Sequence, residues 1–166
     1  NMTRSPDSSL SLPEAWQLMH FALRAVIAEP DRMLAARNLT RVHHRVLFFV
    51  AREPGISVGA LQATLGVSKQ ALAAPLRTLV QQGLIAIRRA DHDARVRHVH
   101  LTRQGRALEA QLTGAQYAMF EAAFAAAGSE AVAGWTAIMR HLAAPLAAPV
   151  APAGSGEQGR ERLRGQ

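Results

Sequence analysis

Cysteine is absent from this chain of 166 residues. Its absence excludes disulfides, thiolate metal sites and cysteine redox sensing, and it is compatible with a reducing compartment. Long apolar runs are absent as well, because no stretch approaches the roughly 18 residues needed to span a bilayer. The N-terminal residues lack the apolar core of a signal peptide. We therefore expect a soluble, cytoplasmic protein with no membrane partner.

Aromatic residues are also few, at 5% of the chain, whereas hydrophobic residues make up 49% and alanine is abundant. This balance favours close helix packing over a sheet-rich core, in a chain long enough for one well-packed domain. Catalytic motifs are missing too: there is no Gly-rich phosphate loop, no His-Glu-x-x-His sequence and no nucleophile elbow, and the carboxylates are scattered. We expect neither enzymatic activity nor a cofactor.

Acidic residues are scarce where basic residues are dense. The formal net charge of the chain is +7, and residues 68–106 alone carry +6, from Lys69 and seven arginines against Asp91 and Asp93. A basic run can be merely a solvated surface, but concentration in one segment is what a polyanion-binding surface requires. The charge distribution therefore favours nucleic acid as the partner.

The segment that carries this charge begins with the pattern of two short helices joined by a tight turn. Ser57 and Ser68 are suited to cap the two helices, and Gly66 supplies the turn between them. Gly83 ends the second helix as a left-handed cap. The apolar residues of the second helix predict an inward stripe made of Leu72, Leu76, Leu79 and Val80.

Two alternating strands follow, from Leu84 to Arg89 and from Val96 to Thr102, around a charged loop at 90–95. Their predicted inward residues are Ile85, Ile87, Val99 and Leu101. A helix, a turn, a second helix and a hairpin in this order form a winged helix-turn-helix. We therefore expect a mainly α fold with a small β-hairpin wing (α+β), and double-stranded DNA as partner.

The second helix presents the predicted reading face. Ser68 and Lys69 lie at the helix N-terminus, where free N–H groups favour a phosphate, so we assign both to the DNA backbone. Gln70 can pair with adenine, or it can be an ordinary solvated residue, and Arg77 can reach a guanine edge or a phosphate. Small residues let the helix approach the groove. The face comprises Lys69, Gln70, Ala73, Ala74 and Arg77.

The wing supplies the second set of candidate residues. Arg95 is the candidate for the minor groove, where narrow A·T-rich segments attract guanidinium groups. Asp93 is expected to orient that arginine or the turn backbone, because a carboxylate facing phosphate is repelled. The other wing arginines are expected to contact phosphates, which adds affinity rather than sequence choice. They are Arg88, Arg89 and Arg97, with Arg103 just beyond the second strand.

Several motifs together resemble the MarR family of bacterial transcriptional regulators, over about Leu39 to Leu112. The motifs are Leu39-Thr40, Val67-Ser68-Lys69-Gln70, Leu79-x-x-x-Gly83-Leu84-Ile85, Asp91-x-Asp93-x-Arg95 and Leu101-Thr102-x-x-Gly105. The resemblance implies a homodimer whose terminal helices interlock and hold two winged lobes over successive major grooves. It also implies repression at pseudo-palindromic operators and release by a small-molecule effector.

Helices on both sides of the winged lobe are too apolar to stand unpartnered, which independently favours a second copy. The first runs from Glu14 to about Ile27, and a continuation through Met33 is expected to have a break at Pro30. Thr40 is predicted to cap the next helix, and Ser129 is predicted to cap the last. The predicted organisation is a flexible N-terminus at 1–12, a dimerisation helix at 13–38, the lobe at 39–105, dimerisation helices at 106–143 and a disordered tail at 144–166.

Pro75 departs from the expected pattern because it lies inside the reading helix. It removes a backbone donor and should distort the helix, at a cost on the order of 3 kcal/mol if nothing compensates. Two interpretations are open: a tolerated bend, which we favour, or a changed angle of the helix in the groove.

The chain has seven histidines, which raises the question of a metal site. His43 and His44 are adjacent and point in different directions on a helix, whereas His98 and His100 share one strand face. Without cysteine or a carboxylate cluster we expect no metal, and we expect His44 to pack near Phe48. An effector pocket is a further hypothesis, with ordinary packing as its alternative. Its lining would be Trp16, His20, His43 and Phe48.

The leading hypothesis is a sequence-specific, homodimeric DNA-binding repressor released by a small molecule. Two alternatives remain open. One is a winged helix used only as a protein-interaction module, and the other is a metal-responsive regulator.

Overall fold

The computed structural model describes residues 10–89, 93 and 95–146. Most of the predicted flexible N-terminus and disordered tail, and the wing-tip residues 90–92 and 94, lie outside that range. Contacts divide the chain into two compact units, residues 1–123 and 124–166. The elements in chain order are α1 (Leu12–Ala35), α2 (Arg41–Arg52), α3 (Val58–Leu65), α4 (Lys69–Gln81), β1 (Ile85–Arg89), β2 (Arg97–Leu101), α5 (Arg103–Ala127) and α6 (Ser129–Ala143). The expected mainly α fold with a hairpin wing is confirmed.

The core of the first unit joins the ends of α1 and α5 to α2, α3, α4 and the wing. Leucine and valine dominate it, which suits close packing of short helices. None of the helices in the described part of the chain is long and apolar enough to cross a membrane. The fully buried side chains include Leu34, Val46, Leu47, Val50, Leu61, Leu79, Val99 and Leu112.

α1 is a single helix, so the predicted break at Pro30 is wrong. Ser11 caps the helix, its hydroxyl oxygen accepting a hydrogen bond from the N–H of Glu14 at 3.3 Å. Pro30 forgoes one backbone hydrogen bond, but it is buried together with Leu34 where α1 meets the lobe. Packing at that point compensates for the lost bond.

α4 is likewise unbroken, although Pro75 lies at its centre and is buried in the lobe. The unbroken helix therefore fits the interpretation that α4 tolerates Pro75. Val80 was expected to face inward and does not, because it is 43% exposed. Leu72, Leu76 and Leu79 with Pro75 complete the inward stripe, and Val80 lies past its edge, about 100° from Leu79.

The wing is a two-stranded antiparallel hairpin whose strands agree with the prediction to within one residue at each end. Ile85 pairs with Leu101 and Ile87 with Val99, so the four predicted inward residues share one face. That face packs on the lobe core. An isolated bridge between Ser57 and His98 ties the segment before α3 to the outer edge of β2.

The second unit contains the end of α5 and α6. Phe124 and Trp135 pack ring to ring, with centroids 5.2 Å apart. Ser129 was predicted to cap α6, but it is the first residue of that helix. Gly128, at a φ of 82°, occupies the cap position without a side-chain hydrogen bond.

Gly105, in the first turn of α5, offers a test of packing at the base of the wing. A Cβ added there would overlap the carbonyl oxygen of Leu84, so Gly105→Ala should destabilise the lobe by about 1–3 kcal/mol or more. The matched control is Gly59→Ala on α3, where a Cβ would meet nothing within 4 Å. The control should be neutral or gain up to about 1 kcal/mol from helix propensity. Urea unfolding of both variants makes the comparison, and equal stability of the pair would contradict this packing.

Candidate nucleic-acid interface

α4 begins with the expected cap. The hydroxyl oxygen of Ser68 accepts a hydrogen bond from the N–H of Ala71 at 3.1 Å. Its own O–H remains able to donate to an anion beside the helix N-terminus. Lys69 is the first helical residue, and Lys69, Gln70 and Arg77 are all exposed. The helix thus presents a cation, an amide and a guanidinium along one solvent-facing side.

The small residues of this face differ in part from the prediction. Ala74 is exposed as expected, but Ala73 is half-buried. Ala71, which sequence reasoning omitted, is exposed. Ala71 and Ala74 are three residues apart and lie on one side of the helix with Gln70 and Arg77. Ala71 therefore takes the place of Ala73 among the fully exposed small residues of this face.

The wing arginines are exposed where the structure describes them. Arg88 lies opposite His98 in the strand register, and Arg89 lies opposite Arg97. Asp93 accepts a hydrogen bond from the backbone N–H of Arg95 at 2.8 Å through Oδ1. This is the turn-forming geometry of an aspartate two residues before its donor, and it fits the expectation that Asp93 orients the turn.

The charge of this surface is uncompensated within the described residues. The two ion pairs recorded there lie elsewhere, between Arg32 and Glu29 within α1 and between Arg41 and Asp31 across α1 and α2. No described carboxylate forms an ion pair with the basic residues of α4 or the wing. Their field is therefore open to an anionic partner. These residues are Lys69, Arg77, Arg88, Arg89, Arg95 and Arg97.

The two histidines of β2 contact Gly55, in the segment between α2 and α3. His98 donates a hydrogen bond from Nδ1 to the carbonyl oxygen of Gly55 at 2.7 Å, since a carbonyl can only accept. The ring of His100 lies against Gly55, whose φ of 84° favours glycine. In the described part of the chain, no group of three or more His, Cys, Asp or Glu residues is placed to hold a metal ion.

His43 and His44 are buried in α2. His43 closes the first turn of its helix, because its Nδ1 accepts the backbone N–H of Thr40 at 3.0 Å. This is the position at which glutamate or glutamine normally completes a capping box. The Nε2 atoms of both histidines have no hydrogen-bond partner among the described residues.

Burial lowers the pKa of both side chains, since a charged imidazole is poorly solvated there. The negative charges of Glu109 and Asp31 oppose this shift in the pKa of His44. Both rings are therefore neutral at pH 7, and His43 carries its proton on Nε2.

The four residues of the hypothesised effector pocket do not come together within one chain. Trp16 and His20 are exposed on the first half of α1, whereas His43 is buried and Phe48 is half-buried in α2. α1 meets α2 at Asp31, whose carboxylate accepts a hydrogen bond from Arg41. Trp16 lies 15 residues before Asp31, which is about 22 Å away along α1. A pocket formed by all four residues would need a second subunit.

Comparison with known proteins decides the family. A model of the MarR family matches residues 37–96. The HTH-type transcriptional regulator PetP of Rhodobacter capsulatus is 43% identical over 129 residues, which cover 78% of this chain and 78% of PetP. The chain belongs to the MarR family. Membership in this family of transcriptional regulators agrees with the expectation that the chain is not an enzyme.

Solved structures share the fold of this MarR-family protein. FabT of Streptococcus pneumoniae, in complex with DNA, aligns with a TM-score of 0.73 and 19% identity, over 82% of this chain and 97% of FabT. PcaV of Streptomyces coelicolor, in complex with its natural ligand, aligns with a TM-score of 0.62 and 18% identity, over 85% of this chain and 97% of PcaV. At these identities the likeness establishes the winged-helix fold alone.

Acidification should destabilise the lobe through His44. Its pKa in the folded chain is below the ordinary value of 6.5, so the unfolded chain takes up the proton first. Stability is then complete above about pH 6.5 and declines as the pH falls from there towards the folded-state pKa. In His44→Phe, the unfolding free energy should fall less steeply between about pH 7 and about pH 5 than in the wild-type chain. Urea titrations at one protein concentration measure the unfolding free energy of the wild-type chain and of His44→Phe at each pH. An equal pH dependence of the two free energies would contradict a buried, neutral imidazole at His44.

Proposed function

We propose that this MarR-family protein is a sequence-specific DNA-binding regulator that acts as a homodimeric repressor and is released by a small-molecule effector. The observation that carries the proposal is the surface formed by α4 and the wing. Its basic side chains are exposed, and they have no ion-pair partner in the part of the chain that the structure describes. Such a surface suits the phosphates and groove edges of duplex DNA.

Within this proposal α4 enters the major groove. Its N-terminus, with Ser68 and Lys69, meets a phosphate, where free N–H groups and the helix dipole favour an anion. Gln70 reads adenine and Arg77 reaches a guanine edge or a phosphate. Ala71 and Ala74 allow the backbone to come close, and Ala73 supports the face from its half-buried position.

The wing provides the second contact. Arg95 enters the minor groove, and the hydrogen bond from its N–H to Asp93 holds the turn that carries it. Arg88, Arg89 and Arg97 contact phosphates, so they contribute affinity and salt dependence. Proteins of the same fold support DNA as the partner, since FabT and a variant of MepR from S. aureus have been solved with DNA.

The dimer follows from apolar side chains that the single chain leaves uncovered. α1 has no buried residue before Pro30, and no described residue of α6 is buried. Trp16 is 74% exposed and Ile138 is 61% exposed. Helices this apolar are not stable in water by themselves, and a second copy is the simplest cover. We assign α1, the second half of α5 and α6 to the dimer.

Repression and effector release rest on the family. MarR-family members typically repress operons and dissociate from DNA when a small molecule binds near the junction of the dimer helices and the lobe. PcaV, which shares the fold, has been solved with its natural ligand. In the dimer, Trp16 and His20 of one subunit and His43 and Phe48 of the other subunit are the candidates for this pocket.

DNA recognition can be tested by selecting ligands from random-sequence duplex DNA. We expect a selected operator to bind with a Kd below about 1 µM and at least about 10³-fold more tightly than random DNA, with a steep salt dependence. Arg95→Ala should weaken operator binding about tenfold or more. Arg45→Ala removes the same charge from an exposed position of α2 and should change binding less than about twofold. Equal, weak binding to all sequences would instead favour a protein-interaction module.

The dimer assignment can be tested by placing a charge in the uncovered face of α1. Trp16→Glu should convert a dimer into monomers at micromolar concentration, because an unpaired carboxylate in an apolar interface is strongly unfavourable. The control is Val80→Glu, which places the same charge on an exposed apolar position of the lobe. Sedimentation velocity measures both variants. A dimer that survives Trp16→Glu would show that α1 does not form the interface.

A further inference from the structure

The motif Leu101-Thr102-x-x-Gly105 occupies the point where the end of α4, the wing and the start of α5 meet. Gly83 follows α4 in the left-handed region, with a φ of 67°. The N–H of Leu84 donates back to the carbonyl of Leu79 at 2.9 Å. The chain then enters β1, and β2 returns to the same place at Leu101. Both DNA-contacting elements and α5 are therefore connected here.

Thr102 joins these elements through its hydroxyl group. The O–H donates to the carbonyl of Gly83 at 2.6 Å, and the oxygen accepts the N–H of Gly105 at 3.0 Å. The backbone N–H of Thr102 donates to the carbonyl of Leu84 at 3.1 Å. One side chain thus caps α5 and bonds to the residue that ends α4.

Two neighbouring contacts also hold the base of the wing against the start of α5. Nη1 of Arg106 donates to the carbonyl of Leu101 at 2.8 Å, which ties the end of β2 to the first turn of α5. Gly105 is buried and leaves no space for a Cβ against the carbonyl of Leu84. We name the set Gly83, Leu84, Leu101, Thr102, Gly105 and Arg106 the wing-base joint.

We propose that Thr102 is a positioning residue for operator recognition, which acts through the wing-base joint to set the spacing between the two half-sites that a dimer accepts. The inference rests on the proposed function. Thr102 need not touch DNA, because it determines how α5 leaves the lobe that carries α4 and the wing.

The geometry makes spacing sensitive to this joint. Leu112 and Thr113 are the last buried residues of α5, and the helix is more exposed beyond them. From Arg103 to Ala123 the helix is about 31 Å long. A tilt of about 6° at its first turn moves the other end by about 3 Å, which is close to the 3.4 Å rise of one base pair. A small variation in the angle at which α5 leaves the joint is therefore enough for the dimer to accept more than one distance between half-sites.

The test compares the selected operator with versions that have one base pair inserted or removed between the half-sites, and with a single half-site. The wild-type chain should lose about tenfold or more in affinity when the spacing changes. Thr102→Val keeps the shape of the side chain but deletes every hydrogen bond of the hydroxyl, including a longer one to the carbonyl of Leu84 at 3.2 Å. This variant should bind the single half-site as the wild type does, bind the operator at least about tenfold more weakly, and show a spacing penalty below about threefold.

Two variants serve as controls for Thr102→Val. Thr102→Ser retains the hydroxyl and should restore the spacing penalty. Ser57→Ala deletes the hydroxyl that caps α3, which accepts a hydrogen bond from the N–H of Ala60 at 3.0 Å, and should leave the penalty unchanged. Arg106→Met tests the same joint if Thr102→Val does not fold. Its loss of charge weakens binding to the operator and to the operators of altered spacing alike, so the ratio between their affinities still reports the joint.

Several outcomes overturn the inference. A folded Thr102→Val that keeps the full spacing penalty shows that the joint does not set spacing. A loss of affinity for the single half-site shows that Thr102 supports the reading surface itself. If Thr102→Val is unfolded, an undiminished penalty in Arg106→Met has the same meaning. A wild-type chain that selects no operator instead overturns the proposed function, before any variant is compared.

Discussion

The apolar face of α4 is the constraint on which the rest of the lobe depends. Leu72, Leu76 and Leu79 are buried in the same cluster as Val99 of the wing. Because a helix turns about 100° per residue, burying these leucines fixes the rotation of α4 and directs Gln70 towards solvent. The wing is positioned by that cluster as well. A single apolar core therefore orients both basic surfaces, the one on α4 and the one on the wing.

Polar side chains complete this core at helix N-termini, where backbone N–H groups would otherwise have no hydrogen-bond acceptor. His43 uses Nδ1 to cap the N-terminus of α2, and Thr102 caps α5 while it bonds to Gly83 at the end of α4. Each satisfies helix N–H groups that have no partner within the helix. His43 achieves this as a buried neutral ring, which couples lobe stability to pH. His43 thus acts within the first turn of its own helix, whereas Thr102 joins elements that are distant in sequence.

Local signals made much of the fold predictable. Ser57 and Ser68 cap their helices as expected, and Gly66 and Gly83 adopt positive φ where each helix ends. Alternation predicted the strands and their inward faces. The errors occurred where packing outweighed local preference. Pro30 lies within a continuous helix because it is buried against the lobe, and Val80 is exposed because Pro75 takes part in the inward stripe.

By itself, the sequence determined the order of the elements, the winged helix-turn-helix, the segment that carries the charge and the family resemblance. These properties depend on spacing along the chain, on caps and on composition, all of which are local. Only the tertiary structure decided which small residues of α4 face outward, that Trp16 and His43 lie far apart within one chain, and that Thr102 unites α4, the wing and α5. Those relations join residues distant in sequence, and they are set by how the core packs rather than by any periodicity.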